Sequence, residues 1–281
     1  MSASLSHLGQ VMLVGAGKMG LALARGWLDA GLRPNHLVLV DPAPGPAAQE
    51  LARDYGLTLN SDASGLLPNV LVLAVKPQII GAVMEGLRQV VGPQTLVISI
   101  AAGLTLDYLE GALQQNPPVI RAMPNAPASV LAGITALCPG PGSTPDDLEI
   151  ARALFECVGR TVLIRNEALM DAVTGLSGSG PAYVYLAIEA LSDAGVGLGI
   201  SRSESSLLAA QTVFGAAKML LDSGKSPGAL RDLVATPGGT TVAGLKMLEK
   251  CNFRSAIMEA VEAAAARSRE LGVLINRKKQ A

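Results

Sequence analysis

Two histidines, His7 and His36, are all that the 281 residues contain. One lies in the N-terminal lead and the other at the entry to an apolar run, so the chain lacks the positioned imidazole that alcohol and hydroxyacid dehydrogenases use for proton transfer. Cysteine is almost as sparse. Cys138, Cys157 and Cys251 are odd in number and far apart, which fits neither a disulfide framework nor a zinc site and accords with a reducing cytoplasm. No cluster of His, Cys and carboxylate suggests a metal. Aromatic residues make up 3% of a chain that is 49% hydrophobic, so its cores must be built from Ala, Leu, Val and Ile. A net charge of -1 and a pI near 6.2 leave no basic footprint for nucleic acid. Gly, Pro, Asn, Gln or a charge interrupts each apolar run before the eighteen or so residues that a membrane helix needs. The first ten residues have neither a basic start nor an apolar core, which argues against a secretory signal.

What is present is glycine placed where chemistry can use it. Gly15-Ala16-Gly17-Lys18-Met19-Gly20 follows the apolar run Val11–Val14 and precedes Leu21, Leu23, Ala24 and Leu28 at helical spacing. Strand, glycine turn and helix form the context of a dinucleotide fingerprint. Gly15 makes the tight turn, Gly17 lets a pyrophosphate approach backbone N–H groups, and Gly20 lets the helix pack on the strand. A second apolar run, Leu37–Val40, ends at Asp41, about twenty residues beyond the last glycine, where an acid accepts hydrogen bonds from the adenosine ribose.

A second glycine feature lies near the other end, at Thr236-Pro237-Gly238-Gly239-Thr240-Thr241, with Val242, Leu245 and Leu248 at helical spacing behind it. Two glycines and two hydroxyls at a helix start make an anion cradle, because first-turn N–H groups point outward and the helix dipole favours negative charge. A lone Gly-Gly-Thr is more often a tight turn with a capped helix. The dinucleotide fingerprint supplies the reason for a second, small anionic ligand here.

Between these features the pattern changes once. Apolar, β-branched runs at 11–14, 37–40, 70–75, 95–100, 119–121, 133–137 and 161–164 predict buried strands of a mostly parallel sheet. Past Asn166 the chain turns Ala- and Leu-rich, predicting helices over 167–194, 202–223, 227–234, 241–249 and 253–271. The fold class is therefore α/β, with a Rossmann-like doubly wound sheet over 1–165 and an all-helical part over 166–281. The stretch 207–221 is apolar on more than one face, which a small lone domain cannot bury, so an intersubunit core is expected. Ala74-Val75-Lys76-Pro77, Ser99-Ile100-Ala101-Ala102-Gly103 and Arg121-Ala122-Met123-Pro124-Asn125 each follow a strand and can frame a cleft at the carboxyl ends of the sheet. Ser177-Gly178-Ser179-Gly180-Pro181 interrupts a helical pattern with apolar flanks, predicting a kinked helix close to a ligand or another chain. With no imidazole or reactive thiol in these segments, the chemistry must need little acid–base help. Reduction of a protonated imine, already electrophilic, meets that condition.

Together these motifs closely resemble the pyrroline-5-carboxylate reductase family, in the order 15–20, 74–77, 99–103, 121–125, 177–182 and Leu230-Arg231-Asp232-Leu233-Val234-Ala235 running into the cradle. The resemblance spans nearly the whole chain. It implies NADPH- or NADH-dependent reduction of 1-pyrroline-5-carboxylate to L-proline, and a helical domain over 166–281 that interlocks two subunits into a homodimer, such dimers assembling into a larger ring such as a decamer. It further implies that Gly238, Gly239, Thr240 and Thr241 bind the substrate, with the Thr241 hydroxyl near the imine nitrogen as the catalytic group. Ser177, Gly178, Ser179 and Gly180 would close the substrate pocket. The cofactor would touch Gly15, Ala16, Gly17, Lys18, Met19, Gly20, Asp41, Asn60, Ala74, Val75, Lys76, Pro77, Ala101, Ala102 and Asn125. Relatives that favour the phosphorylated cofactor often carry small polar or basic residues after the second strand, whereas this chain has Asp41-Pro42-Ala43-Pro44. That carboxylate would repel a 2'-phosphate, so NADH stands beside NADPH as the expected cofactor. Two other readings stand beside this one: a β-hydroxyacid dehydrogenase, although 167–194 lacks that class's lysine, and an NAD(P)-sensing protein without turnover.

Overall fold

The protein is described from a computed structural model covering residues 5–113 and 115–277. It divides into two compact units, 1–179 with 263–281, and 180–262.

The first unit holds eight strands: β1 (Val11–Val14), β2 (Leu37–Val40), β3 (Thr58–Asn60), β4 (Val70–Leu73), β5 (Leu96–Ser99), β6 (Val119–Met123), β7 (Gly133–Pro139) and β8 (Gly159–Leu163). They form one sheet in the order β3-β2-β1-β4-β5-β6-β7-β8. The pairs are parallel except β6 with β7, which are antiparallel. The sequence pattern does not announce β3, three residues on the sheet's edge with half-exposed or exposed side chains. The helices of this unit are α1 (Lys18–Asp29), α2 (Pro46–Tyr55), α3 (Ile80–Leu87), α4 (Leu106–Ala112), α5 (Pro145–Glu156) and α6 (Met170–Val173).

Strand residues alternate between two cores. Val11, Leu13, Leu37, Leu39, Val72 and Ile98 face α1, α2 and α5, around Trp27 and Phe155. Met12, Val14, Val38, Val40, Leu71 and Leu73 face α3 and α4, around Met84 and Leu109. Covered on both faces, these strands read as unbroken apolar runs. The single tryptophan is fully buried, and its indole N–H donates to the Leu154 carbonyl at 2.7 Å.

Register fixes where loops leave the sheet. Val14 pairs with both Val40 and Leu73, Leu73 pairs with Ser99, and Ser99 with Arg121. Chain order reverses between β1 and β4, the topological switch point at which open α/β sheets bind ligands. Gly15, Asp41, Ala74, Ile100 and the segment after Arg121 therefore emerge along one edge.

The second unit contains α7 (Gly180–Gly197), α8 (Arg202–Ser223), α9 (Pro227–Val234), α10 (Thr240–Lys250) and the first part of α11 (Phe253–Arg277). Here packing is inverted. At the crossing of α7 and α8 the buried residues are Ser192, Ser205 and Ala209. The Ser205 hydroxyl donates to the Ser192 carbonyl at 2.6 Å. A Cβ on Gly195 would collide with Ser205 Oγ, so small residues bring the helices close while large apolar ones stay outside. Leu186, Leu207 and Phe214 are 67%, 69% and 60% exposed. Among the described residues, no helix is long and apolar enough to cross a membrane.

Candidate active site

The glycine turn is built as its spacing predicts. Gly15 has φ +100°, and a Cβ there would lie 2.7 Å from the Ala74 carbonyl oxygen. A Cβ on Gly20 would run into the Gly15 carbonyl, whereas around Gly17 nothing lies within 4 Å. Gly15 thus lies tight against the segment after β4, Gly20 lets α1 close on the turn itself, and Gly17 faces open space. Gly17 is also the N-cap of α1 and supplies no side-chain hydrogen bond, so first-turn N–H groups are offered outward. This cradle fits a pyrophosphate.

Asp41 stands beside the turn, half-buried. One carboxylate oxygen accepts from the Ala16 N–H at 2.8 Å and the other from the Ala43 N–H at 2.9 Å. Its backbone N–H donates to the Asn60 carbonyl at 3.0 Å, which places Asn60 at the end of the neighbouring edge strand. The negative charge is pinned between the glycine turn and the β2–α2 loop. Among the residues 42–46 no cation offsets it.

On the other side of the switch point, Ala74 and Val75 lead from β4 to Lys76, an exposed residue that caps the short turn Pro77–Ile79. Ala101 is buried and Ala102 half-buried after β5. Gly103 has φ +77° and sits against the backbone of Gly272 in α11. Pro77, Ala102, Thr174, Ser179 and Ser268 share the wall of a groove of about 720 Å³.

The Ser177–Pro181 interruption is a kink of a defined kind. A π-turn, Thr174–Gly178, lies between α6 and α7. Wide turns of this type leave backbone groups out of the helical ladder and concentrate at functional sites. The Ser177 carbonyl is caught by the Asn125 side-chain N–H at 3.1 Å, while the Asn125 carbonyl oxygen accepts from the Ile134 N–H at 2.9 Å. Asn125 therefore ties the β6–β7 loop to the π-turn, and each end of its amide keeps one further bonding position. The Ser177 hydroxyl donates back to the Val173 carbonyl at 3.0 Å.

Sequence reasoning passes over Glu167 and Arg121 as partners. The buried Arg121 guanidinium donates to Glu167 Oε1 at 2.9 Å, and the same oxygen accepts from the Leu106 N–H at 2.7 Å. Nearby, burial first and then the Asp107 and Glu167 charges raise the Glu110 carboxyl above its ordinary value. Burial likewise pushes the Cys138 thiol up. No signal in the sequence joins residues 46 positions apart.

In the second unit, Gly238 has φ +72° with open space around it, and Gly239 is the N-cap of α10 without a side-chain cap. The Gly239 N–H donates to the Thr236 carbonyl at 2.9 Å, closing the turn. Thr240 is exposed and Thr241 half-buried. Other helices show the contrast: Thr105, Thr144, Ser201 and Ser226 cap α4, α5, α8 and α9 with their own oxygens. Besides α1 and α10, α2 also opens on an uncapping glycine, Gly45, but there Pro46 occupies the first turn. Among the described residues, no group of His, Cys, Asp and Glu could hold a metal ion.

Residues 167–271 match the family model for pyrroline-5-carboxylate reductase dimerisation, and residues 10–103 match that for NADP oxidoreductase coenzyme F420-dependent. The pyrroline-5-carboxylate reductase of Methanosarcina acetivorans is 42% identical over 265 residues, 94% of this chain and 98% of that protein. Among solved structures, a pyrroline-5-carboxylate reductase from Coxiella burnetii shares 34% identity with a TM-score of 0.88, covering 94% of this chain and 99% of that one. Pyrroline carboxylate reductase of Plasmodium falciparum with NADP bound gives 34% and 0.84, covering 95% and 99%.

Proposed function

We infer the roles of individual residues from one premise: this chain belongs to the pyrroline-5-carboxylate reductase family. It is an NAD(P)H-dependent oxidoreductase that reduces 1-pyrroline-5-carboxylate to L-proline, and its dimerisation domain points to self-association. The observation that carries the assignment of roles is the pair of helix N-termini, α1 and α10, each opened by a glycine that offers no cap. Two such termini suit two anions, the cofactor pyrophosphate and the substrate carboxylate.

In this reading residues 1–165 bind the dinucleotide and 166–281 bind substrate and pair subunits. Gly15 to Gly20 hold the pyrophosphate, with Gly17 giving the close approach. Asp41 accepts from the ribose 2'-OH through lone pairs that its two backbone donors leave free, and so favours NADH over NADPH. Asn60, Ala74, Val75, Lys76, Pro77, Ala101, Ala102 and Asn125 line the remainder of the cofactor site. The bound nicotinamide supplies the hydride. Gly238, Gly239 and Thr240 hold the substrate carboxylate, and the Thr241 hydroxyl orients the imine nitrogen. Ser177 to Gly180 close the pocket and exclude water. The exposed apolar faces of α7 and α8 support a homodimer, and we place these dimers in a larger ring such as a decamer. We place the protein in the cytoplasm, since Cys138, Cys157 and Cys251 are odd in number and widely spaced.

The test follows nicotinamide absorbance with NAD(P)H and pyrroline-5-carboxylate, with NAD(P)+ and a β-hydroxyacid, and with cofactor alone, while measuring proline formed. Cofactor oxidation matched one to one by proline is expected only with the first. Turnover of the hydroxyacid, or binding of cofactor without any turnover, would overturn the assignment.

A further inference from the structure

We propose that Glu167 is a positioning residue for hydride transfer, a strut that fixes the Ala101–Gly103 loop relative to the π-turn; this rests on the reading of that loop as the nicotinamide side. The geometry is unusual for a surface carboxylate. A single oxygen, Glu167 Oε1, accepts both the Arg121 guanidinium at 2.9 Å and the Leu106 N–H at 2.7 Å. Leu106 is the first residue of α4, whose N-cap Thr105 satisfies the Tyr108 N–H. Glu167 thus takes a helix-start donor that the cap leaves over, and its negative charge lies where the dipole of the short α4 favours it.

The strut joins three parts of the first unit. Arg121 sits on β6, in register with Ser99 at the end of β5, so the guanidinium is anchored in the sheet and 7% exposed. Leu106 closes the loop that begins at Ile100. Glu167 itself opens the segment that continues through α6 into the π-turn Thr174–Gly178. At the middle of the loop, a Cβ on Gly272 would lie 2.6 Å from the Gly103 carbonyl oxygen, so α11 braces what Glu167 ties. A loop held at its end and its middle keeps nearby groups within the small tolerance that hydride transfer demands, where a 1 Å displacement costs about a hundredfold.

Removing the carboxylate alone would leave a buried guanidinium unpaired, an effect separate from the strut. Two double variants separate them: Arg121→Met with Glu167→Gln, which removes both charges and keeps an acceptor for the Leu106 N–H, and Arg121→Met with Glu167→Ala, which removes both charges and the acceptor. The measurements are kcat at saturating substrate and cofactor, Kd for NADH by fluorescence, and Tm. A strut predicts kcat within about threefold of wild type for the first and at least about tenfold lower for the second, with NADH Kd unchanged within about twofold. Equal kcat in the two variants overturns the proposal, even where Tm differs. Should the Ala variant not fold, Leu106→Pro removes the donor while leaving Arg121 and Glu167 in place. The extended Thr105 (φ -90°, ψ 158°) suits a following proline. The same loss of kcat is expected there, and wild-type kcat in Leu106→Pro overturns the strut. Wild-type turnover of pyrroline-5-carboxylate is the control, since its absence would defeat the assigned reaction rather than the strut.

Discussion

At the scale of single residues, the proposed roles of one hydroxyl and one carboxylate can be put to the test. Thr241 is half-buried in the first turn of α10, behind an N-terminus that no side chain caps. A hydrogen bond to a charged group contributes about 1.5–3 kcal/mol. Thr241→Ala should lower kcat by about tenfold or more, and Thr241→Ser should stay within about threefold. Steady-state kinetics decide it, and equal rates for wild type and Thr241→Ala would remove the role. Asp41 is held by Ala16 and Ala43 N–H groups beside the glycine turn, which keeps its charge where the proposed site would place a 2'-phosphate. Asp41→Ser combined with Ala43→Arg should raise the NADPH to NADH ratio of kcat/KM by about tenfold, a change of about 1.4 kcal/mol. Paired kinetics at one ionic strength are the measurement. An unchanged ratio would make Asp41 a brace for the loop and nothing more.

At the scale of elements, α4 carries a pH dependence of its own. Glu110 lies near its C-terminal end, and burial together with the Asp107 and Glu167 charges raises its carboxyl. The folded state therefore binds this proton more tightly than the unfolded chain. The resulting stability is fully present at pH below the ordinary glutamate range and is lost as pH rises through the raised value. Glu110→Gln, which cannot ionise, should raise Tm relative to wild type, with a gain that is small in acid and grows as pH approaches neutrality. Thermal melts of both proteins across this range measure it; a gain that is the same at every pH would mean that charge is not the cause. The helices also show which boundaries local chemistry sets. The observed bounds of α8 and α9, Arg202–Ser223 and Pro227–Val234, agree with expectation because Ser201, Gly224, Ser226 and Pro227 are stop and start signals written in the chain itself. The stretch 167–194 reads as one interrupted helix, yet folds as a short turn, α6, a π-turn and α7. Glycine and proline mark the break, while the wide turn depends on Asn125 from another loop to satisfy the Ser177 carbonyl.

At the scale of the whole molecule, the apolar surface of α7 and α8 has no place in water. Serines occupy the crossing between the two helices, and Leu186, Leu207 and Phe214 lie outside it. Burial of one such side chain contributes about 1.5–3 kcal/mol, so association buries what folding of one chain leaves exposed. Dilution should not yield an active monomer. Leu207→Glu with Phe214→Glu should shift light-scattering mass toward 28.7 kDa and abolish turnover together, and a fully active monomer of either protein would refute this.

The sequence by itself determined what is local: the unbroken apolar runs that build strands, the caps that bound helices, and the glycine turn, whose residues are adjacent and whose roles follow from the absence of a Cβ at Gly15, Gly17 and Gly20. It also determined that large apolar residues outnumber the places one helical unit has for them. Only the tertiary structure decided strand direction at β7, the edge pairing of β3, the two donors on Asp41, and the meeting of Arg121, Leu106 and Glu167. Each of these is a contact between distant positions, and its energy depends on distance and burial that no residue carries alone. A carboxylate at position 167 reads as a solvated charge until the sheet and α4 bring a guanidinium and a backbone donor to the same oxygen.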